Sequence, residues 1–416
     1  MKKTLLSAIT LFAFSYGIIA QSPVRCYSAE YMQEQIALNP SLQQSVDAEN
    51  QAADQFAIDH PNGYQNRAVV VIPVVFHVVY KTASQNISNS RLMDQLDVIN
   101  ADYRKLNTDA NLVPSAWTSI AADCEIQFCL AQRDNNGNFT DGIERISTTT
   151  TSWSKNDNVK HVASGGADAW NRSKYLNIWV CNLSGGILGY STFPGGPAAL
   201  DGVVLSYQYV GTTGTSAPYN KGRTATHEIG HWLNLKHIWG DDGSACTGSD
   251  NVTDTPNQSS ENYGCPSFPH TDACTTTSPG VMWMDYMDYT DDACMYMFTA
   301  GQKTRMWSTL NGSRIAIKTS NGCLPVGIAA ISLQNIFAIS PNPTNGSFKL
   351  KFGYNMPDHF DVTVYNLIGE KVFTQHYDAL TASELNLDLS GNNPGVYMIE
   401  VSTLTGIGSR KIVLTN

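Results

Sequence analysis

The 416-residue chain is short of charge. Charged side chains make up 15% of it, well below the usual ~25%. Basic residues are the scarcer kind, 26 Lys and Arg against 36 Asp and Glu, for a net charge of -10. Binding to nucleic acid wants clustered Lys and Arg on one face, so that class of partner is excluded. Residues 241–302 hold no Lys or Arg at all, yet nine Asp and one Glu. Long apolar runs are absent after the first 20 residues, which excludes a multi-span membrane protein and leaves no permanent membrane span. What remains is 42% hydrophobic, enough for a sizeable core and too much for a disordered chain. The length suggests two or three domains, with a surface rich in Ser, Thr and Asn, as in many extracellular proteins.

The N-terminal run is read as a signal peptide over residues 1–20. Lys2 and Lys3 supply a positive start, Leu5 to Ala20 is mostly apolar, and Ala20 is small enough for a cleavage site. The alternative is a membrane anchor, but the run is short and no basic stop-transfer flank follows. Export implies that disulfides are allowed. Nine cysteines are present, and an odd count leaves at least one thiol unpaired. Cys26 stands almost 100 residues before the next; the other eight could form four bridges.

Four zones follow along the chain. Residues 21–66 are polar, with an amphipathic helical pattern at Tyr31–Leu38 and too few large apolar residues for a core. Ala68 to Tyr80 is β-branched and nearly continuous, a buried strand. Ser90 to Leu106 has helical spacing; Cys124 to Ala131 and Tyr175 to Val180 read as strands, and Arg223 to Leu235 as a helix. A loop-rich stretch runs to Cys323. From Leu324 onward there is no Cys, and short alternating runs separated by turn signals suggest a small antiparallel sandwich.

The chemistry lies in HEIGHWLNLKH, His227 to His237. His227 and His231 share one helical face, so two imidazoles can converge on one ion, with Glu228 beside them. His237 can join them only if the chain turns, and Asn234 suits that turn because Asn tolerates the left-handed region. Three neutral imidazoles and a water make a catalytic zinc site. HExxH alone is common, but with a third His six residues on it should arise by chance in roughly one such sequence in ten thousand. His60, His77, His161, His270, His359 and His376 stand alone; His77, inside the first strand, reads as a hydrogen-bonded core histidine.

His227-Glu228-x-x-His231-x-x-Asn234-x-x-His237 resembles the elongated zinc motif of the metzincin metalloproteases, and Asn in place of the usual Gly resembles the pappalysin family among them. MDYMDYTDDAC is similar to that family's Met-turn region, as are the segments around the motif and Leu188–Pro194. The resemblance covers roughly residues 68–323. It implies an α+β fold, a metzincin-type domain over 67–323 whose mixed twisted sheet is crossed by an active-site helix, followed by the small all-β sandwich.

It also implies roles. Zn²⁺ is held by His227, His231 and His237, and Glu228 is the general base. Tyr289 donates to the oxyanion, and Met287 forms the floor under the metal. Leu188–Thr192 is the edge strand beside which protein or peptide substrates add. Pappalysin-like precursors resemble this chain in placing a cysteine ahead of the domain, so residues 21–66 read as a propeptide whose Cys26 caps the zinc. The alternatives for Cys26 are an incidental thiol or a bridge to Cys323. The family's staggered bridges would fall at Cys246–Cys274 and Cys265–Cys294, leaving four cysteines unassigned.

Asp250, Asn251, Thr253 and Asp254 offer hard oxygens suited to Ca²⁺, or form a solvated acidic loop. Asp292, five residues past Met287, is placed for the wall of the S1′ pocket, where a carboxylate would favour Lys or Arg at P1′; the alternative is a calcium ligand or helix cap. Asn66-Arg67 would then suit self-cleavage. Residues 324–416 resemble a type IX secretion sorting domain, on Ser340-Pro341-Asn342-Pro343, the Gly369-Glu370-Lys371-Val372 turn, Pro394-Gly395-Val396-Tyr397 and Lys411-Ile412-Val413. That implies passage through the periplasm and recognition by outer-membrane secretion machinery; a carbohydrate-binding or adhesion module is the alternative. The whole reads as a latent, secreted zinc endopeptidase, against an adhesion or binding protein with a structural metal site.

Overall fold

A computed structural model describes residues 23–65, 68–326, 337–352, 359–378, 384–403 and 406–415. The expected signal peptide and the Asn66-Arg67 pair lie outside the described residues. No described helix is long and apolar enough to cross a membrane.

The polar N-terminal zone forms two helices, α1 (Ser28–Leu38) and α2 (Ser41–Asp59). The first follows the amphipathic pattern. The second was not foreseen, because half of its apolar positions are Ala and it buries little more than Leu42 and Ala53. Its partner is distant in sequence: α2 lies along α5 (Ala300–Asn311). The Arg305 guanidinium reaches Asp54 at 3.3 Å, and Ser313 donates to Glu49 at 2.9 Å.

The central unit is built on β1 (Val70–Tyr80), whose β-branched run is buried on both faces. Then come α3 (Asn89–Tyr103), β2 (Ile126–Leu130), β3 (Ile143–Ser147), β4 (Leu176–Cys181), β5 (Gly189–Ser191), β6 (Val203–Ser206) and α4 (Arg223–Trp232). The sheet runs β2-β1-β4-β6-β5, with β3 also on β1. β2 and β3 pair with successive halves of β1. All pairs are parallel except β5 on β6, which is antiparallel and forms the edge. Helices α3 and α4 cover one face of the sheet, in a core that includes Phe76, Ile99, Ile178, Ile229 and Met287.

Three disulfides are seen. Cys246–Cys274 and Cys265–Cys294 match the pairing implied by the family. Cys129–Cys323 ties β2 to the end of the unit. Four bridges among the eight later cysteines do not form: Cys124 and Cys181 are free and buried, as is Cys26, which therefore does not bridge to Cys323. Burial pushes the Cys124 and Cys181 thiols up, so both act as small apolar side chains.

The C-terminal unit has β7 (Phe337–Ser340), β8 (Ser347–Phe352), β9 (His359–Asn366), β10 (Lys371–Asp378), β11 (Glu384–Asp388), β12 (Gly395–Thr403) and β13 (Gly406–Leu414). Two antiparallel sheets, β10-β9-β12-β13 and β11-β8-β7, share a core of Phe348, Leu350, Val362, Ile399 and Ile412. This is the small all-β sandwich expected. β7 and β10 are its weakest strands in sequence: the first is short, and the second carries many polar residues on an edge.

Candidate metal centre

Helix α4 sits wholly inside the molecule. Its face carries His227 and His231, and at Gly230 an added Cβ would stand 2.5 Å from Met287 Sδ. Met287 therefore packs directly under the helix and needs glycine there, a requirement not noticed in the sequence. The helix ends at Trp232, earlier than expected, and Asn234 takes φ 74, the left-handed turn its type allows. Arg305 Nε donates to the Asn234 carbonyl at 2.7 Å and pins that turn.

The turn brings His237 back. His231 Nε2 lies 3.1 Å from both His227 Nε2 and His237 Nε2. Each ring's Nδ1 faces an acceptor: Tyr286 O at 2.7 Å for His227, Leu235 O at 2.8 Å for His231, Asp241 Oδ1 at 2.7 Å for His237. Each Nδ1 therefore donates, and each Nε2 presents a lone pair. Burial first, then the neighbouring imidazoles, hold His227 and His231 well below the usual histidine range, so they are neutral. Three converging lone pairs repel unless a cation lies between them. Tetrahedral Zn–N bonds of about 2.0–2.1 Å put nitrogens roughly 3.3 Å apart, so the set fits zinc. Cys26 completes it: ligand atoms of Cys26, His227, His231 and His237 all lie within 4.8 Å of one another. Burial and the Glu228 charge push the Cys26 thiol up, so a thiolate here needs a cation beside it.

Glu228 is fully buried, and burial raises its carboxyl to about 7 against the lowering hydrogen bond from Ser28. Ser28 Oγ donates to Glu228 Oε2 at 2.7 Å and accepts from Ser191 N at 2.8 Å. Across the site, Gly189 lets β5 pass close: a Cβ there would lie 2.9 Å from Glu228 Cγ. Tyr289 Oη stands 3.1 Å from His237 Nε2, with its phenol pushed up by burial and therefore protonated.

Residues 24–27 run beside the edge strand in parallel. Leu188 N donates to Val24 O at 3.0 Å, Val24 N to Gly186 O at 2.9 Å and Tyr27 N to Gly189 O at 3.2 Å. Arg25 points past Tyr219 to Asp292, with Nη1 to Oδ1 at 2.6 Å and both side chains fully buried. Asp292 Oδ2 accepts from Lys221 N at 2.8 Å and Arg223 N at 3.3 Å, so the same carboxylate caps α4. Arg25 and Ser28 were not read as site residues. Adjacency to Cys26 was the available signal for Arg25; nothing local marks Ser28.

The acidic loop is arranged differently from the shared ligand cage expected. Asp250 accepts from Val252 N at 3.0 Å and Thr255 Oγ1 at 2.8 Å. Asp254 accepts from Thr299 Oγ1 at 2.7 Å and Gly301 N at 2.8 Å, at the start of α5. Asn251 pairs with Lys236 at 2.6 Å. Among the described residues, these acids join no cluster of three or more converging His, Cys, Asp or Glu ligands. Burial nevertheless raises Asp250 to about 7 and pushes Asp285 well up, and Asp285 Oδ2 has no hydrogen-bond partner.

Comparison with known proteins agrees with this geometry. Residues 156–311 match the peptidase family described as pregnancy-associated plasma protein-A, and residues 338–415 match the secretion system C-terminal sorting domain. An extracellular metalloprotease of Verticillium alfalfae is 33% identical over 279 residues, covering 62% of this chain and 83% of its own. A promirolysin mutant of Tannerella forsythia superposes with a TM-score of 0.64 at 48% identity, covering 70% of this chain and 96% of that one. Mature mirolysin of the same organism, in complex with a cleaved peptide, gives 0.60 at 52% identity, covering 61% and 97%. The chain belongs to the pregnancy-associated plasma protein-A, or pappalysin, family: it is a secreted metalloprotease that ends in a secretion sorting domain.

Proposed function

We propose that this chain is a latent zinc endopeptidase that cuts proteins on the N-terminal side of Arg or Lys, with residues 21–66 as its propeptide, 67–323 as the catalytic domain and 324–416 as linker and sorting domain. The likeness to a promirolysin supports a precursor form. The observation that carries the specificity is the buried Arg25–Asp292 pair at 2.6 Å, one residue before Cys26 joins the three histidines. A basic side chain in that pocket is matched by a carboxylate that a neutral side chain would leave without its ion-pair partner.

His227, His231 and His237 would hold a zinc ion, which when bound would supply Lewis acidity at the scissile carbonyl. Glu228, the carboxylate beside the ligands, takes the water's proton and returns it to the leaving amine. Tyr289 keeps its proton and donates it as a hydrogen bond to the developing oxyanion. In the precursor each role is blocked: Cys26 fills the water's position, Ser28 holds Glu228, and Arg25 fills the P1′ pocket. A calcium ion near Asp250 and Asp254 is supported by the burial of those acids beside the unpartnered Asp285 oxygen.

The test is cleavage-site profiling of the processed wild type and Asp292→Asn. Wild type should enrich Arg and Lys at P1′, and the variant should lose about tenfold or more of that preference. A flat P1′ profile, or one unchanged in the variant, would refute the assignment.

A further inference from the structure

The N-terminal segment fills one more pocket beyond those of the metal and Asp292. Tyr31 reaches from α1 over the edge of β5 and is 0% exposed. Its ring lies 5.1 Å from that of Tyr190, in an apolar cluster with Val159, Trp179, Leu183 and Ile187. Its phenol donates to Asp157 Oδ2 at 2.7 Å. The other Asp157 oxygen is held by Lys160 Nζ at 2.8 Å and Tyr190 Oη at 3.3 Å. Lys160, itself fully buried, is fixed by the Leu200 carbonyl at 2.8 Å and by Thr192 Oγ1 at 3.2 Å, and stands 5.3 Å from the Tyr31 ring.

An ion pair is an expensive lining for an apolar pocket. Asp157 also takes φ 60, a left-handed conformation that is strained for a residue with a side chain. In this setting Asp157 Oδ2 is held toward the Tyr31 hydroxyl. The buried walls come from the catalytic unit, and Tyr31 is the buried plug from the propeptide, with Val24 and Tyr27 packed at its margin. When the propeptide leaves, Asp157 Oδ2 loses its phenol donor in a pocket built to match one.

The path of the chain says which side of the site this is. It runs from Arg25 at Asp292, through Cys26 at the metal ligands, to Tyr31. The pocket therefore lies across the metal from the P1′ pocket, and Tyr190 and Thr192 on its rim belong to the edge strand or its end.

We propose that this pocket is a second specificity subsite in the processed enzyme, taking a tyrosine side chain from the part of a protein substrate N-terminal to the scissile bond. The placement rests on the propeptide and P1′ readings above. The pocket's preference for a phenol does not.

The experiment uses enzyme processed from the full chain and a peptide library varied independently at P1′ and at each position on the other side of the bond. Tyr at one of those positions should raise kcat/KM about tenfold or more over Phe, chiefly through KM. Asp157→Ala should erase that Tyr-over-Phe difference while keeping the P1′ profile. The wild type alone decides the matter should the variant fail to fold: no position that separates Tyr from Phe overturns the subsite. A variant that folds and keeps the difference overturns it too. A Tyr preference with a flat P1′ profile supports the pocket and removes the P1′ reading; a basic P1′ preference with no Tyr effect does the reverse.

Discussion

The histidine cluster and the N-terminal segment proposed as a propeptide are both buried at their meeting point, yet they are supported differently. The three histidines donate their outer hydrogen bonds to Tyr286, Leu235 and Asp241, and none to residues 23–65. The propeptide contributes Arg25, Cys26, Ser28 and Tyr31, each 1% exposed or less, while most of α2 faces solvent. Four side chains of one short stretch therefore enter the site, while α2 touches its frame at one point, through Asp54 on the Arg305 that holds the Asn234 carbonyl. Removal of the propeptide should leave the metal ligands oriented, since the groups that hold them stay.

Glu228→Ala breaks the machine, at the loss of one contact of the lock, the Ser28 hydrogen bond. Peptide hydrolysis by the processed enzyme should fall by about 10²–10⁴-fold, with zinc content by atomic absorption unchanged. Cys26→Ala does the opposite. Activity of the unprocessed full chain should rise at least about tenfold, the change that ~1.4 kcal/mol of weakened lock produces. Asp54→Asn, at the half-exposed pair with Arg305, sharpens the contrast: latency should be unchanged and stability lowered by less than about 1 kcal/mol.

Two smaller effects probe the frame itself. Asn234→Ala places a side chain less suited than Asn at φ 74 and should lower stability by about 1 kcal/mol, whereas Asn234→Gly should be close to neutral. Calorimetric scans of both would check this. Removal of calcium with zinc retained should lower Tm by a few degrees, the size of a shift expected for about 1–2 kcal/mol in a domain this large. An unchanged Tm would discard calcium at the acidic loop.

Much of the catalytic unit was legible because its signals are local. A β-branched run is a strand wherever it is buried, as β1 is, and His at i and i+4 share a helix face in any context. Asn234 could be read as a turn because the left-handed region selects few residue types. Helix α2 was not legible, since its Ala-rich face becomes apolar surface only against α5. Ser28, Tyr31 and Asp157 carried no signal, because their partners lie 200 residues away for Ser28 and Glu228 and 126 away for Tyr31 and Asp157.

By itself, then, the sequence marked His227, His231 and His237 as a convergent histidine set, Glu228 beside them and Asn234 as the turn between them, and left the pairing of Cys26 open. Each follows from short-range spacing and the bonding habits of a residue type. Tertiary structure alone decided that Asp292 meets Arg25, that Gly230 makes room for Met287 and that Tyr31 closes a pocket at Asp157. Those pairings depend on which buried surfaces are brought face to face. A one-dimensional pattern does not encode that, because burial and complementary charge act through space and not along the chain.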